Sequence, residues 1–178
     1  MVLARLFKPR AEALAGRALY ASAAAQARSP AFYAALGAPD TVEGRFELFT
    51  LHVALLLLRL KGRGERASET SQQLFGSFVR GLDDALREMG VGDVVVGKRM
   101  RKLGEAFYGR MRSYELALAK RPDLTDLQAL IARTVFDGAP AGRPDALAAY
   151  AASATDGLEA TALDELLAGQ VQWPQVEP

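Results

Sequence analysis

Asp40-Thr41-Val42-Glu43-Gly44-Arg45-Phe46-Glu47-Leu48-Phe49-Thr50-Leu51-His52-Val53-Ala54-Leu55-Leu56-Leu57-Leu58-Arg59-Leu60 is the stretch that decides the fold. Between residues 48 and 58 it holds no Asp, Glu, Lys or Arg. Its apolar side chains go most of the way round a helix, and such a helix belongs in the middle of a core. A stretch of eleven residues is too short to cross a bilayer, which takes about 20. Asp40 stands three residues before Glu43, a spacing that predicts a capping box opening a helix that runs to about residue 60. Gly62 and Gly64 end it. Gly44 costs this helix about 1 kcal/mol relative to Ala, so its presence predicts a close backbone approach at the first turns.

The pattern stays helical on both sides. Upstream, Leu14, Ala18, Leu19, Ser22 and Ala25 recur at helical spacing over 10–27, with Pro9 suited to a first-turn position. Ser29-Pro30 reads as a cap and first residue of a short helix over 31–36, stopped by Gly37. Downstream, Ser68 is a cap for a helix to Met89 whose apolar residues Phe75, Phe78, Leu82, Leu86 and Met89 step by three and four. Gly90 ends it, and Asp93 is the expected cap of the next helix, to about residue 119. Val96, Met100, Leu103, Phe107, Met111, Tyr114 and Leu118 form its apolar stripe. The β-branched run at 94–96 also suits a strand, but no partner strand is nearby, so helix is expected. Further helices are expected over 124–136, 144–153 and 156–168, with turns at Asp137-Gly138 and Ala141-Gly142. Gly169 closes the last one, and Val171-Gln172-Trp173-Pro174 reads as an extended tail. The expected fold class is all-α, a single-domain bundle of about six to eight helices.

Residues 1–121 hold 20 basic and 12 acidic residues, whereas 122–178 hold 2 and 9. The near-neutral total therefore hides a basic core region, 1–121, and an acidic helical region, 122–178, packed on the same domain. A basic body meets phosphate-rich partners, or else the two halves attract each other within the fold. Met1 to Arg10 is basic, lacks an adequate apolar run for a secretion signal, and is poor in acids as a transit peptide is. A cytoplasmic place is expected, extending to a peripheral one on the inner face of the cytoplasmic membrane.

Composition excludes several chemistries. There is no Cys, which removes disulfides, thiol catalysis and thiolate metal sites. His52 is the single histidine, so a two-His metal site within one chain is impossible. No phosphate-binding glycine loop follows a strand. No catalytic residue, metal ligand or cofactor is expected. His52 on its apolar helix is read as a core histidine satisfied by a hydrogen bond, against the alternative of a haem ligand or a general base in a ligand-binding bundle. Asp83-Asp84 lacks a third carboxylate where Arg87 stands, and Arg87 is placed to pair with either of them. Arg45 is expected to pair with Asp40. Both arginine pairs are expected to be partly buried.

Lys98, Arg99, Arg101, Lys102, Arg110 and Arg112 make the densest basic run. On a helix, Lys98, Arg101, Lys102, Glu105 and Arg112 share a side opposite Met100, Leu103, Phe107 and Met111. Such a side suits phosphates of RNA or lipid, or an acidic protein surface. The competing expectation is that the acidic region after residue 122 neutralises it. Arg45, Arg87, Lys98, Arg101, Lys102, Arg110 and Arg112 are the candidate partner-binding residues.

Several blocks resemble one family. They are Arg28-Ser29-Pro30-Ala31-Phe32-Tyr33, Pro39-Asp40-Thr41, Gly44-Arg45-Phe46, Leu51-His52, Leu86-Arg87-Glu88-Met89-Gly90-Val91-Gly92-Asp93, Lys98-Arg99-Met100 and Phe107-Tyr108-Gly109-Arg110. In this order and separation they are similar to the ubiquinol–cytochrome c chaperones, assembly factors of the respiratory cytochrome bc complex, over about residues 14–118. Gly76 and Gly81 depart from the acidic residues expected there. The resemblance implies an all-helical, non-catalytic chaperone that binds newly made cytochrome b. It also implies a small helical co-chaperone and contact with the ribosome as partners. The alternative is an adaptor whose basic face binds RNA or an anionic membrane surface; DNA is not expected.

Overall fold

The structure, a computed structural model, describes residues 11–139 and 141–176. The basic start and the Pro9 position therefore lie outside the described residues. Among those described there are eight α-helices and no strand. They are α1 (Ala11–Ala27), α2 (Pro30–Ala34), α3 (Val42–Leu60), α4 (Glu65–Glu88), α5 (Asp93–Leu118), α6 (Thr125–Ile131), α7 (Pro144–Ala160) and α8 (Leu163–Leu167).

Helix α3 is the axis of the bundle, lying against α1, α4, α5 and α7. Leu48, Leu51, Val53, Ala54 and Leu56 on it have no exposed surface, which is what an all-round apolar helix requires. Its first turn corrects the expected capping box. Thr41 is the cap, and its hydroxyl accepts a hydrogen bond from the Gly44 N–H at 3.1 Å. Asp40 is left to pair with Arg45 instead. The close approach expected at Gly44 is present: a Cβ there would sit 2.1 Å from the Pro39 carbonyl oxygen.

The Ala-rich α1 runs along α4 at short range. A Cβ on Gly16 would stand 2.5 Å from that of Gln73, and one on Gly81 would meet the Tyr20 hydroxyl at 2.1 Å. Gly81 is thus where α4 makes room for a side chain of α1. Helix α4 begins earlier than expected, at Glu65 after a Gly64 cap, so Ser68 is inside the helix. Helix α5 begins after Gly92. Asp93 is its first residue and not its cap, and its carboxylate goes to Arg87.

After residue 122 the expected helix over 124–136 is α6 continued by a π-helical turn, Ala132–Phe136. Asp137 and Gly138 then turn the chain with positive φ. The two helices expected over 144–168 are divided elsewhere: α7 runs unbroken to Ala160, and only a single further turn, α8, follows. Thr155 stays helical because its hydroxyl donates to the Ala151 carbonyl, 2.8 Å away, instead of competing for a turn. Gly169, with positive φ, ends α8 against Ala15 and Ala18 of α1. The extended tail lies back on the bundle, where Trp173 donates its indole N–H to Ser22 of α1 at 3.0 Å.

One core cluster gathers buried residues from α1, α3, α4, α5, α6 and α7, with Leu166 and Leu167 of α8. No helix among the described residues is long and apolar enough to cross a membrane.

Candidate functional site

His52 is fully buried between α2, α7 and the tail, with ring contacts to Phe32, Tyr150 and Trp173. Its Nδ1 lies 2.7 Å from the Leu48 carbonyl oxygen, which only accepts, so Nδ1 carries the proton. Its Nε2 then accepts from the Tyr150 hydroxyl at 2.8 Å, and that oxygen accepts from Gln26 at 3.0 Å. Burial holds the ring neutral, with a pKa pulled down to about 4. Both ring nitrogens are therefore satisfied inside the core, and no carboxylate orients the ring as a base would need.

The seven candidate arginines and lysines divide into three groups. Arg45 pairs with Asp40 at 2.6 Å, and Arg87 pairs with Asp83 at 2.6 Å and also with Asp93. The Arg45 hydrogen bond pulls the Asp40 carboxyl below its usual range, and the two aspartates raise the Arg87 guanidinium. These pairs form as expected, but on the surface. Arg45 and Arg87 are more than half exposed, because the first turn of α3 and the last turn of α4 place them at helix rims. Each such exposed pair contributes little to stability.

Arg110 stands apart. Its Nε and one terminal nitrogen reach the two oxygens of Glu47 at 2.9 and 3.0 Å, joining α5 to α3. That fork-to-fork geometry raises the Arg110 pKa. With Glu47 buried, Arg110 works inside the fold rather than on the basic side.

Lys98, Arg101, Lys102 and Arg112 form the third group. All four are exposed, and none has a carboxylate at ion-pair distance among the described residues. Opposite them Phe107 is buried and Met100, Leu103 and Met111 are half-buried. The acidic region does not cover this side. Its ion pairs to the basic region use Lys120 with Asp126, Arg121 with Asp156 and Glu159, and Arg66 with Asp164.

An aromatic assembly that the sequence reading missed lies beneath this basic row. Tyr20, Phe49, Phe78, Phe107, Phe75 and Tyr108 follow one another at ring spacings of 5.5, 5.1, 5.0, 5.2 and 5.6 Å. Phe78 and Phe107 are buried, Phe49 and Phe75 half-buried, and Tyr108 is 56% exposed. Tyr108 is seven residues after Arg101 and four before Arg112, so helical spacing puts it on their side, as it does the exposed Leu116. The only signal in the sequence was the spacing of Phe46/Phe49 and Phe75/Phe78 on separate helices. The site is a stripe of cations with an aromatic and an aliphatic side chain set into it, backed by rigid rings. The chemistry of such a surface suits an apolar segment flanked by negative charge.

No cluster of three or more potential metal-ligating His, Asp or Glu residues occurs among the described residues. Asp83 is occupied by Arg87.

The family model for the ubiquinol–cytochrome c chaperone matches residues 34–173. The crystal structure of the Cbp3 homolog from Brucella abortus is similar with a TM-score of 0.85 and 34% sequence identity. That likeness covers 99% of this chain and 98% of the other. No curated protein matches the chain.

Proposed function

The chain belongs to the ubiquinol–cytochrome c chaperone family, and we propose that it assists assembly of the respiratory cytochrome bc complex by binding newly made cytochrome b, without catalysis. The observation that carries the reading is the α5 stripe, where Tyr108 and Leu116 are exposed among Arg101, Lys102 and Arg112. A nascent membrane protein offers apolar segments that must be held until they are placed, and an aromatic surface does this without enclosing them. The unpaired cations hold flanking carboxylates or phosphates and set the orientation. Arg45 at the start of α3 and Arg87 at the end of α4, both exposed, extend the contact. His52, neutral and enclosed, supports a structural role rather than chemistry.

The same row of cations favours a second contact, with a phosphate-rich surface such as anionic lipid or ribosomal RNA, which would keep the protein on the inner face of the membrane where the client emerges. A small helical co-chaperone suits the exposed apolar residues Met89 and Val95 at the α4–α5 junction. Deleting the gene and following the bc complex by haem staining tests the reading. Loss of assembled complex with cytochrome b still synthesised is expected, and unaltered assembly would overturn it.

A further inference from the structure

The opposite end of α3 carries an arrangement that the chaperone reading does not use. A cleft of about 320 Å3 opens between the C-terminal turns of α3, the end of α5 and the last turns of α7. Leu55, Leu58, Leu118 and Leu158 supply its apolar wall. Arg59, Arg63 and Arg121 line it as well.

Arg59 is held as a fixed donor. Its Nε and Nη2 donate to the carbonyls of Leu158 and Thr161 at 2.6 and 2.9 Å, fastening it to the end of α7. Its Nη1 is buried and has no hydrogen-bond partner. No carboxylate lies at ion-pair distance from Arg59, nor from the exposed Arg63 one turn on, among the described residues. Burial, and then repulsion from Arg63, pull the Arg59 guanidinium below its usual value against the opposing attraction of Glu159. The acids of the cleft are already engaged. Glu115 pairs with Lys61 at 2.5 Å, and Glu159 with Arg121 at 2.8 Å. Two cations thus stand side by side next to an apolar wall, neither of them ion-paired, with the nearby Glu159 held by Arg121. A cation in that position is costly until an anion joins it.

We propose that this cleft binds a small amphiphile, its phosphate or carboxylate head on Arg59 and Arg63 and its short apolar body along Leu55, Leu58, Leu118 and Leu158. Arg63 takes either head through paired N–H donors and Arg59 adds its unpartnered Nη1, and a phosphate offers more acceptors for two arginines than a carboxylate does. The volume admits a head group on a single short alkyl chain rather than a nucleotide-sized ligand. The site does not depend on the chaperone assignment, since it shares no residue with the α5 stripe.

Calorimetric titration of the full chain with octyl phosphate, octanoate, octanol and inorganic phosphate tests this. Octyl phosphate should bind saturably and more tightly than octanoate, octanol or inorganic phosphate, and rising salt should weaken it. Arg63→Gln should weaken octyl phosphate by about tenfold or more, the loss of one charged contact, with the melting temperature unchanged because Arg63 is exposed. Arg59→Lys keeps the charge but removes the Nη1 donor and the fastening to α7, and should weaken it also. Tighter inorganic phosphate than octyl phosphate would make the ligand a free anion and overturn the amphiphile. Equal binding of octanol and octyl phosphate, no saturable binding, or full affinity in the Arg63→Gln protein would overturn the site.

Discussion

Glu47 on α3 and Arg110 on α5 meet through two parallel hydrogen bonds of 2.9 and 3.0 Å, with the Glu47 side chain 10% exposed. This pair fixes where α5 crosses the central helix, and therefore how the stripe from Lys98 to Arg112 is presented. Removing one partner strands the other. Arg110→Ala should cost about 3 kcal/mol, the penalty of leaving a buried carboxylate unpaired. The double variant Glu47→Leu/Arg110→Met should recover most of that loss. Urea denaturation of the single and double variants checks it, and equal losses in both would show that the pairing is not what matters.

The histidine makes stability depend on pH in a defined window. Folded His52 titrates at about 4 against about 6.5 when unfolded, so the unfolded chain takes up a proton first as pH falls. Stability from this group is whole above the unfolded value and is lost progressively between about pH 6.5 and 4. The total is on the order of 3 kcal/mol. The carboxyl of Asp40, itself pulled down by Arg45, acts only below its own usual range, so the upper part of the window reports the histidine. Denaturation midpoints between pH 7.5 and 4.5 should fall steeply, and His52→Gln should flatten that limb.

The two candidate caps should behave oppositely. Thr41→Ala removes the oxygen that accepts from Gly44 and should cost about 1 kcal/mol. Asp93→Ala removes only an exposed pair with Arg87 and should cost less than about 0.5 kcal/mol. Melting curves of the two proteins measured side by side should separate them. A larger loss for Asp93→Ala would restore it as a capping residue.

Much of the fold was legible because it follows from local chemistry. Residues 48–58 without a charge could only be central, and Gly44 near a helix start implied the approach that Pro39 makes. The break expected between residues 153 and 156 failed for a reason no local pattern reveals. Ser and Thr are poor helix formers in isolation, but Thr155 bonds back to Ala151 within a helix whose Ala151 and Ala154 are buried. Asp93 had the right chemistry for a cap, yet a neighbouring arginine outbid the backbone N–H groups for it. The basic side of α5 was legible from spacing alone. Its aromatic backing was not, because Phe49, Phe78, Phe107 and Tyr108 come together only when three helices pack. Helical spacing already left Arg110 off the shared basic side, but its partner Glu47 was not legible, being 63 residues away.

The central claim is that the exposed α5 stripe holds the client. The most direct measurement complements a deletion strain with the Arg101→Glu/Tyr108→Ala/Arg112→Glu protein and quantifies haem-stained bc complex, alongside the melting temperature of the purified variant. All three side chains are exposed on α5 and only Tyr108 packs on other rings, so the melting temperature should fall by no more than a few degrees. The account predicts that this well-folded variant leaves the bc complex as depleted as in the deletion strain and no longer co-purifies with cytochrome b. Full bc complex with the stripe reversed would contradict it.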